Sequence, residues 1–274
     1  MIVGVKIGPA LDASVRRAAE EAERIGFHSV WLSERVVTPL DKPHPYDPMP
    51  DPWIALSYVA AVTERVLLGT SVSMIALRPP VLMARELATL DRLAGGRVIV
   101  GVGAGWVVEE FTSTGVRFED RGGRLNESMR VLRHLWTFPE QAWHGKFFDI
   151  PPVGIVKPLT PGGPPIYAGG FTEAGYRRAA KYADGFIAVS APDVSQLAAL
   201  RAHLDEFRAK YGRTGPFTFL VQSTPPESVA AAKEMARAYR AAKIDGTILT
   251  YADAVPEALL RAPGADAVRA LIES

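Results

Sequence analysis

The sequence predicts an α/β fold: a closed (β/α)8 TIM barrel running through residues 1–274 as a single domain. Three observations predict it. Short β-branched runs alternate with amphipathic helical stretches along most of the chain. Eight such strand–helix units fit within 274 residues, and a barrel of this kind takes about 250. Val98, Ile99, Val100 and Val102 form a continuous apolar run rather than an alternating one, as expected of a strand covered on both faces in a parallel sheet.

The first strand spans 2–8. Asp12 is placed to cap the next helix, whose apolar face is Val15, Ala18, Ala19, Ala22 and Ile25 and which Gly26 stops. Residues 27–33 make the second strand. A loop at 36–50 follows, with five prolines and the cluster His44, Tyr46 and Asp47. Asp51 and Pro52 supply an N-cap and a first-turn proline for a helix over 52–63. The third strand is 66–74, and its helix, 79–93, ends at Gly95-Gly96. After the fourth strand, 98–102, come helical stretches at 107–112 and 124–137. Residues 139–164 break the alternation and read as an insertion, in which WHGKFFDI looks like a hairpin. The fifth strand is 165–168, with a helix opening at Thr172. The sixth is 185–189, with a helix over 193–211. The seventh is 217–222, and Thr224-Pro225-Pro226-Glu227 reads as a capping box with prolines in the first turn. The eighth is 246–250, followed by two short helical pieces split at Pro263-Gly264. An open doubly wound sheet with GVGAGW as nucleotide fingerprint fits less well. The spacing is GxGxG, it follows the fourth strand, and the acid expected about 20 residues on falls at Glu119-Asp120, which follows no strand.

Composition narrows the function. Lys plus Arg number 31 and Asp plus Glu 30, a net charge of +1 with no basic stripe, so neither nucleic acid nor a membrane surface is the expected partner. With no cysteine, thiolate metal sites, cysteine nucleophiles and disulfides are excluded. The expected setting is cytoplasmic, without a signal peptide or spanning segment.

Barrel chemistry sits at the C-terminal ends of the strands. Here those ends are Gly8, Ser33-Glu34-Arg35, 71–74, 103–106, 168–170, Val189-Ser190, Gln222-Ser223 and Thr250-Tyr251. Glu34 is the one carboxylate among them, no histidines converge on a metal site, and no Ser/His/Asp set is brought together. A mouth so poor in reactive groups points to a bound organic cofactor that carries the reaction. Gly103-Ala104-Gly105 reads either as a tight turn or as a bare ledge for a flat ring. Ala168-Gly169-Gly170 leads into a helix N-terminus and reads either as a glycine turn capped by Thr172 or as a phosphate site.

The residues WLSERVVTP, DPW, TERVLLGTSV, LATLDRLAGGRVIVGVGAGW, RGGRLNESMRVLRHLW, PPIYAGG and RRAAKYADGF together resemble the bacterial luciferase-like superfamily. Within it the pattern is most similar to the F-420-dependent oxidoreductases of actinobacterial type. The resemblance implies a homodimer that binds the 5-deazaflavin coenzyme F-420, with FMN as the alternative cofactor. It places the tricyclic ring against Ser71-Val72, where a non-prolyl cis peptide is expected, and against Gly103, Ala104, Gly105 and Trp106. The phosphate is placed at Ala168, Gly169 and Gly170, so that Gly169→Asp is expected to abolish cofactor binding and spare the fold. The implied activity is hydride transfer between F-420 and a small unsaturated, carbonyl or alcohol compound. The alternatives are an FMN-dependent monooxygenase and a non-catalytic flavin-binding barrel. The sugar-phosphate dehydrogenase branch has Ser-Asp-His where this chain has Ser33-Glu34-Arg35, and an acid where it has Trp106. An arginine cannot serve as base at neutral pH. Glu34 and Arg35 are therefore the catalytic candidates, with Arg35 either meeting an anion or pairing with Glu34. Trp106 is either core or pocket wall. Arg121, Arg124 and Glu127 read as helix-positioning ion pairs.

Overall fold

The computed structural model describes residues 1–8, 14–41, 49–189, 193–251 and 265–274. Asp12, the cluster His44, Tyr46 and Asp47, and the first of the two C-terminal helical pieces lie outside the described residues. Eight parallel strands close a barrel in the order β1-β10-β9-β8-β7-β4-β3-β2. They are β1 (Ile2–Lys6), β2 (Ser29–Leu32), β3 (Leu67–Thr70), β4 (Val98–Val102), β7 (Ile166–Gly169), β8 (Gly185–Ala188), β9 (Thr218–Ser223) and β10 (Gly246–Leu249). Closure runs through β1 and β10, in register from Ile2–Gly246 to Val5–Leu249. The barrel is ringed by α1 (Ser14–Ile25), α2 (Pro52–Ala60), α3 (Pro80–Leu93), α4 (Val108–Ser113), α5 (Arg121–Thr137), α6 (Glu173–Tyr182), α7 (Val194–Lys210), α8 (Val229–Ala241) and α9 (Ala265–Ile272). None of the described helices is long and apolar enough to cross a membrane.

Strand alternation divides the core in two. Val3, Val5, Val30, Leu68, Val98, Val100, Val102 and Ala168 point outward and pack with the helices. Trp31, Ile99, Tyr167, Ile187, Leu220 and Ile248 fill the interior. Trp31 is the largest of these, and its indole lies across both neighbouring strands because each has a glycine there. A Cβ on Gly4 would sit 2.5 Å from Trp31 Nε1, and one on Gly69 would run into the ring itself. The indole N–H is satisfied by Ser29 Oγ at 2.8 Å. Below the mouth the barrel is therefore solid, and a ligand can enter only at the strand ends. At the opposite end Arg97, just before β4, donates to the carbonyls of Ala60, Thr63, Val66 and Ala94 and ties β3, β4 and α2 together.

Local signals placed several boundaries. Asp51 caps α2, accepting from the N–H groups of Trp53 and Ile54. Thr172 and Asp193 cap α6 and α7. The α8 reading is corrected. Thr224 and Pro225 each precede a proline, which disfavours helical backbone, so the helix starts at Val229 with Ser228 as its cap. Between β4 and β7 the chain leaves the barrel, and an antiparallel hairpin forms from β5 (Trp143–His144) and β6 (Asp149–Ile150).

Glu127 does not make the ion pair expected of it. Buried on α5, its carboxylate accepts from Trp143 Nε1 and from the backbone N–H groups of Lys146, Phe147 and Phe148. Glu127→Ala would leave these donors unmet at about 1–3 kcal/mol for each that stays buried. We expect chemical denaturation to show a loss of roughly 3 kcal/mol, with hydrogen exchange accelerated at 145–148 while β1–β4 stay protected. Unchanged exchange in the hairpin would show that Glu127 does not hold it.

Candidate active site

At the C-terminal end of the barrel lies a cavity of about 510 Å3. Its wall is Val72, carried on a cis Ser71–Val72 peptide where the family resemblance placed one. The surrounding hydrogen bonds fix this unit to its neighbours. Ser71 N donates to Leu32 O at 2.7 Å and Ser73 N to Gly101 O at 2.8 Å. Ser33 Oγ donates to Ser71 O, and Gln222 Nε2 donates to Ser71 Oγ at 2.5 Å. On either side of Val72 stands a glycine. A Cβ on Gly103 would come within 2.5 Å of Val72 Cγ2, and one on Gly169 within 2.8 Å of Val72 Cγ1. The bare ledge expected at 103–105 is thereby redefined, since the space left at Gly103 is filled by Val72. Gly103, Ala104 and Gly105 line the cavity beside it, and Gly105 turns the chain at φ +75°. Ala168 does not line it. It faces outward into the helix-side core, one residue out of phase with Tyr167 and Gly169.

Glu34 and Arg35 do not pair with one another. Glu34 accepts from Ser73 Oγ at 2.8 Å and Met74 N at 2.5 Å and binds Arg78, which also holds Asp51. Glu34 is thus committed to anchoring the loop behind Val72. Arg35 pairs with Glu110 of α4 at 3.2 Å, and Val36 N donates to the same carboxylate at 2.8 Å. Burial pushes the Glu110 carboxyl up, opposed by Val36 N–H and Arg35. The Arg35 guanidinium lies 4.9 Å from the Trp106 ring centroid, and its buried Nε has no hydrogen-bond partner among the described residues. Trp106, 64% exposed, stands at the cavity rim and not in the core.

The far end of the cavity is lined by Gly169, Gly170, Thr172, Gly175, Arg121 and Arg178. Thr172 Oγ1 accepts from Gly175 N at 3.2 Å, leaving other first-turn N–H groups of α6 without a helical partner. Arg178 donates to Asn126 Oδ1 and Arg121 to Phe118 O, and neither meets a described carboxylate. Burial and the like charge of Arg121 both pull Arg178 down from its usual pKa. The buried guanidinium of Arg178 and the half-buried one of Arg121, mutually repelling beside a helix N-terminus, form a donor set that fits a phosphate. Arg124 stays outside, donating to Ala76 O and stacking over Phe148.

Among the lining residues, sequence reasoning missed Lys6, Glu110 and Arg178. Lys6 is the clearest case. The strand ends there and not at Gly8, so the first residue at the mouth is a cation. Burial lowers its ammonium to about 8.

The comparisons agree with this architecture. The monooxygenase RslO1 of Streptomyces bottropensis superposes with a TM-score of 0.79 at 23% identity, covering 100% of this chain and 98% of that one. An F-420-dependent secondary alcohol dehydrogenase, solved with an F-420–acetone adduct, gives 0.80 at 20% identity, covering 98% of each. By sequence, an uncharacterised protein of Mycobacterium tuberculosis is 31% identical over 231 residues, 79% of either chain. An F-420-dependent glucose-6-phosphate dehydrogenase of Amycolatopsis mediterranei is 36% identical over 180 residues, 63% of this chain and 52% of that enzyme. Among the first curated relatives, the match spans 65% of the relative's length. The family model described as luciferase-like monooxygenase matches residues 9–270, and the chain belongs to that family.

Proposed function

We propose that this chain is an oxidoreductase that transfers hydride between coenzyme F-420 and a small carbonyl or unsaturated compound. One observation carries the reading. A single cavity joins an apolar wall, Val72, to a pair of guanidiniums that meet no described carboxylate, at a helix N-terminus. The wall suits a flat ring and the guanidiniums suit its anionic tail. Val72, Gly103, Ala104 and Gly105 would bear the ring. Gly169, Gly170, Thr172, Arg121 and Arg178 would hold the phosphate. A deazaflavin has carbon in place of the flavin nitrogen that engages oxygen, so it supplies two-electron hydride chemistry. Arg35 and Trp106 would bound the substrate. The relatives named for F-420-dependent dehydrogenation support the cofactor. FMN is the alternative, with a cytoplasmic homodimer as the expected working form.

Equilibrium titration separates the cofactors. We expect F-420 to bind at least tenfold more tightly than FMN, with turnover on enones, ketones or alcohols. Tight FMN binding, oxygen consumption and no affinity for F-420 would make this a flavin monooxygenase. Binding without turnover on a broad panel would leave a cofactor-binding barrel. Light scattering should give twice the chain's mass.

An aspartate at Gly169 would collide with Val72 before its charge met any ligand, so the expectation of an intact fold does not hold there. Arg178→Met tests the charge instead. It should raise the F-420 dissociation constant 10- to 100-fold, the loss of about 1.5–3 kcal/mol from one charge-assisted contact, with melting temperature nearly unchanged. Unaltered affinity would put the phosphate elsewhere.

A further inference from the structure

We propose that Lys6 is the catalytic acid of this cavity, and that its substrate is a ketone, aldehyde or carbonyl-conjugated alkene that is reduced at neutral pH. The proposal rests on the F-420 reading above. Moving a hydride onto such a substrate leaves negative charge on oxygen, and a proton must arrive there. Few groups lining the cavity can deliver it. Glu34 is locked to Arg78, Ser73 and Met74 N–H. Glu110 is locked to Arg35 and Val36 N–H. Arg35, Arg121 and Arg178 do not give up protons at working pH. Ser33, Ser71 and Thr172 are far weaker acids, Gln222 does not titrate, and no described lining residue is a histidine.

Lys6 remains. It is the last residue of β1, it lines the mouth, and it makes no hydrogen bond or ion pair with a described residue. A partly buried ammonium without a partner is unfavourable until a ligand oxygen meets it. The surrounding elements bring both signs of charge: Glu34 and Arg35 after β2, Glu110 on α4, Arg121 on α5 and Arg178 on α6. β9 brings the neutral Gln222, β10 leads to Tyr251, whose phenol burial pushes up, and α9 carries the mutually paired Asp266 and Arg269. With its ammonium lowered to about 8, Lys6 is still mostly protonated at pH 7, so it acts as an acid and favours the reducing direction. The step balances. The substrate carbon gains a hydride from reduced deazaflavin, which is left oxidised. The carbonyl oxygen takes a proton from Lys6 Nζ, and water at the mouth reprotonates the amine.

The test compares the wild-type chain with Lys6→Met and Lys6→Arg. In the wild type, kcat/KM for reduction of a cyclic enone or ketone should fall tenfold per pH unit above about pH 8, because the free amine cannot donate. Lys6→Met should be slower by about 100-fold or more at pH 7 and lose that alkaline limb. Lys6→Arg keeps the charge but not the acid and should stay slow. A second readout needs no turnover. Pulse acetylation of the unliganded chain, read by peptide mass spectrometry, should give Lys6 a midpoint near 8, below ordinary surface lysines. F-420 affinity should be unchanged in Lys6→Arg, which keeps the positive charge, and should fall no more than a few fold in Lys6→Met. If F-420 binds and turns over but Lys6→Met keeps its rate and pH profile, or Lys6→Arg restores them, Lys6 is not the acid and the cofactor reading stands. A wild-type chain that fails to bind F-420 overturns both.

Discussion

The wedge of Val72 between two glycines is the contact on which the cavity depends. Val72 projects from a cis peptide between β3 and the loop after it, and it occupies the volume that side chains at Gly103 and Gly169 would need. Three strand ends are thereby brought together around one isopropyl group, with Ser71 tied to Leu32, Ser33 and Gln222. Packed interiors do not yield by half an ångström without shifting neighbours, so the wall is set by the barrel and not by any ligand.

The buried carboxylates around this wall follow one logic. Glu34 holds the loop behind Val72 through Arg78, which also reaches the α2 cap Asp51. Glu110 holds Arg35, and Glu127 holds the hairpin. Each is engaged by protein donors. The charged groups lining the cavity without a described carboxylate partner are therefore cationic: Lys6, Arg121 and Arg178. A chain with a net charge of only +1 thus concentrates positive potential in its cleft, where an anionic cofactor gains most from it.

Most of the fold was legible because the local signals are strong. The apolar run at 98–102 became β4 with every residue buried, and Asp51 and Thr172 act as the caps they resemble. The errors trace to long-range pairing and to phase. Arg35 finds Glu110, 75 positions away, and not its neighbour Glu34. Glu127 meets backbone N–H groups that no charge pattern advertises. Ala168 sits out of phase on its strand. Lys6 was hidden by a strand end placed two residues late, and Arg178 by an ordinary amphipathic helix whose inner face reaches the cavity.

The central claim is that Val72 and the Arg121–Arg178 pair mark the two ends of one cofactor site. A crystal structure of the chain with F-420 bound tests it most directly. The account predicts the deazaflavin ring packed against Val72, with its phosphate within hydrogen-bond distance of Gly170 N and of Arg178. A ring bound away from Val72, or a phosphate held elsewhere with both guanidiniums unliganded, would contradict it.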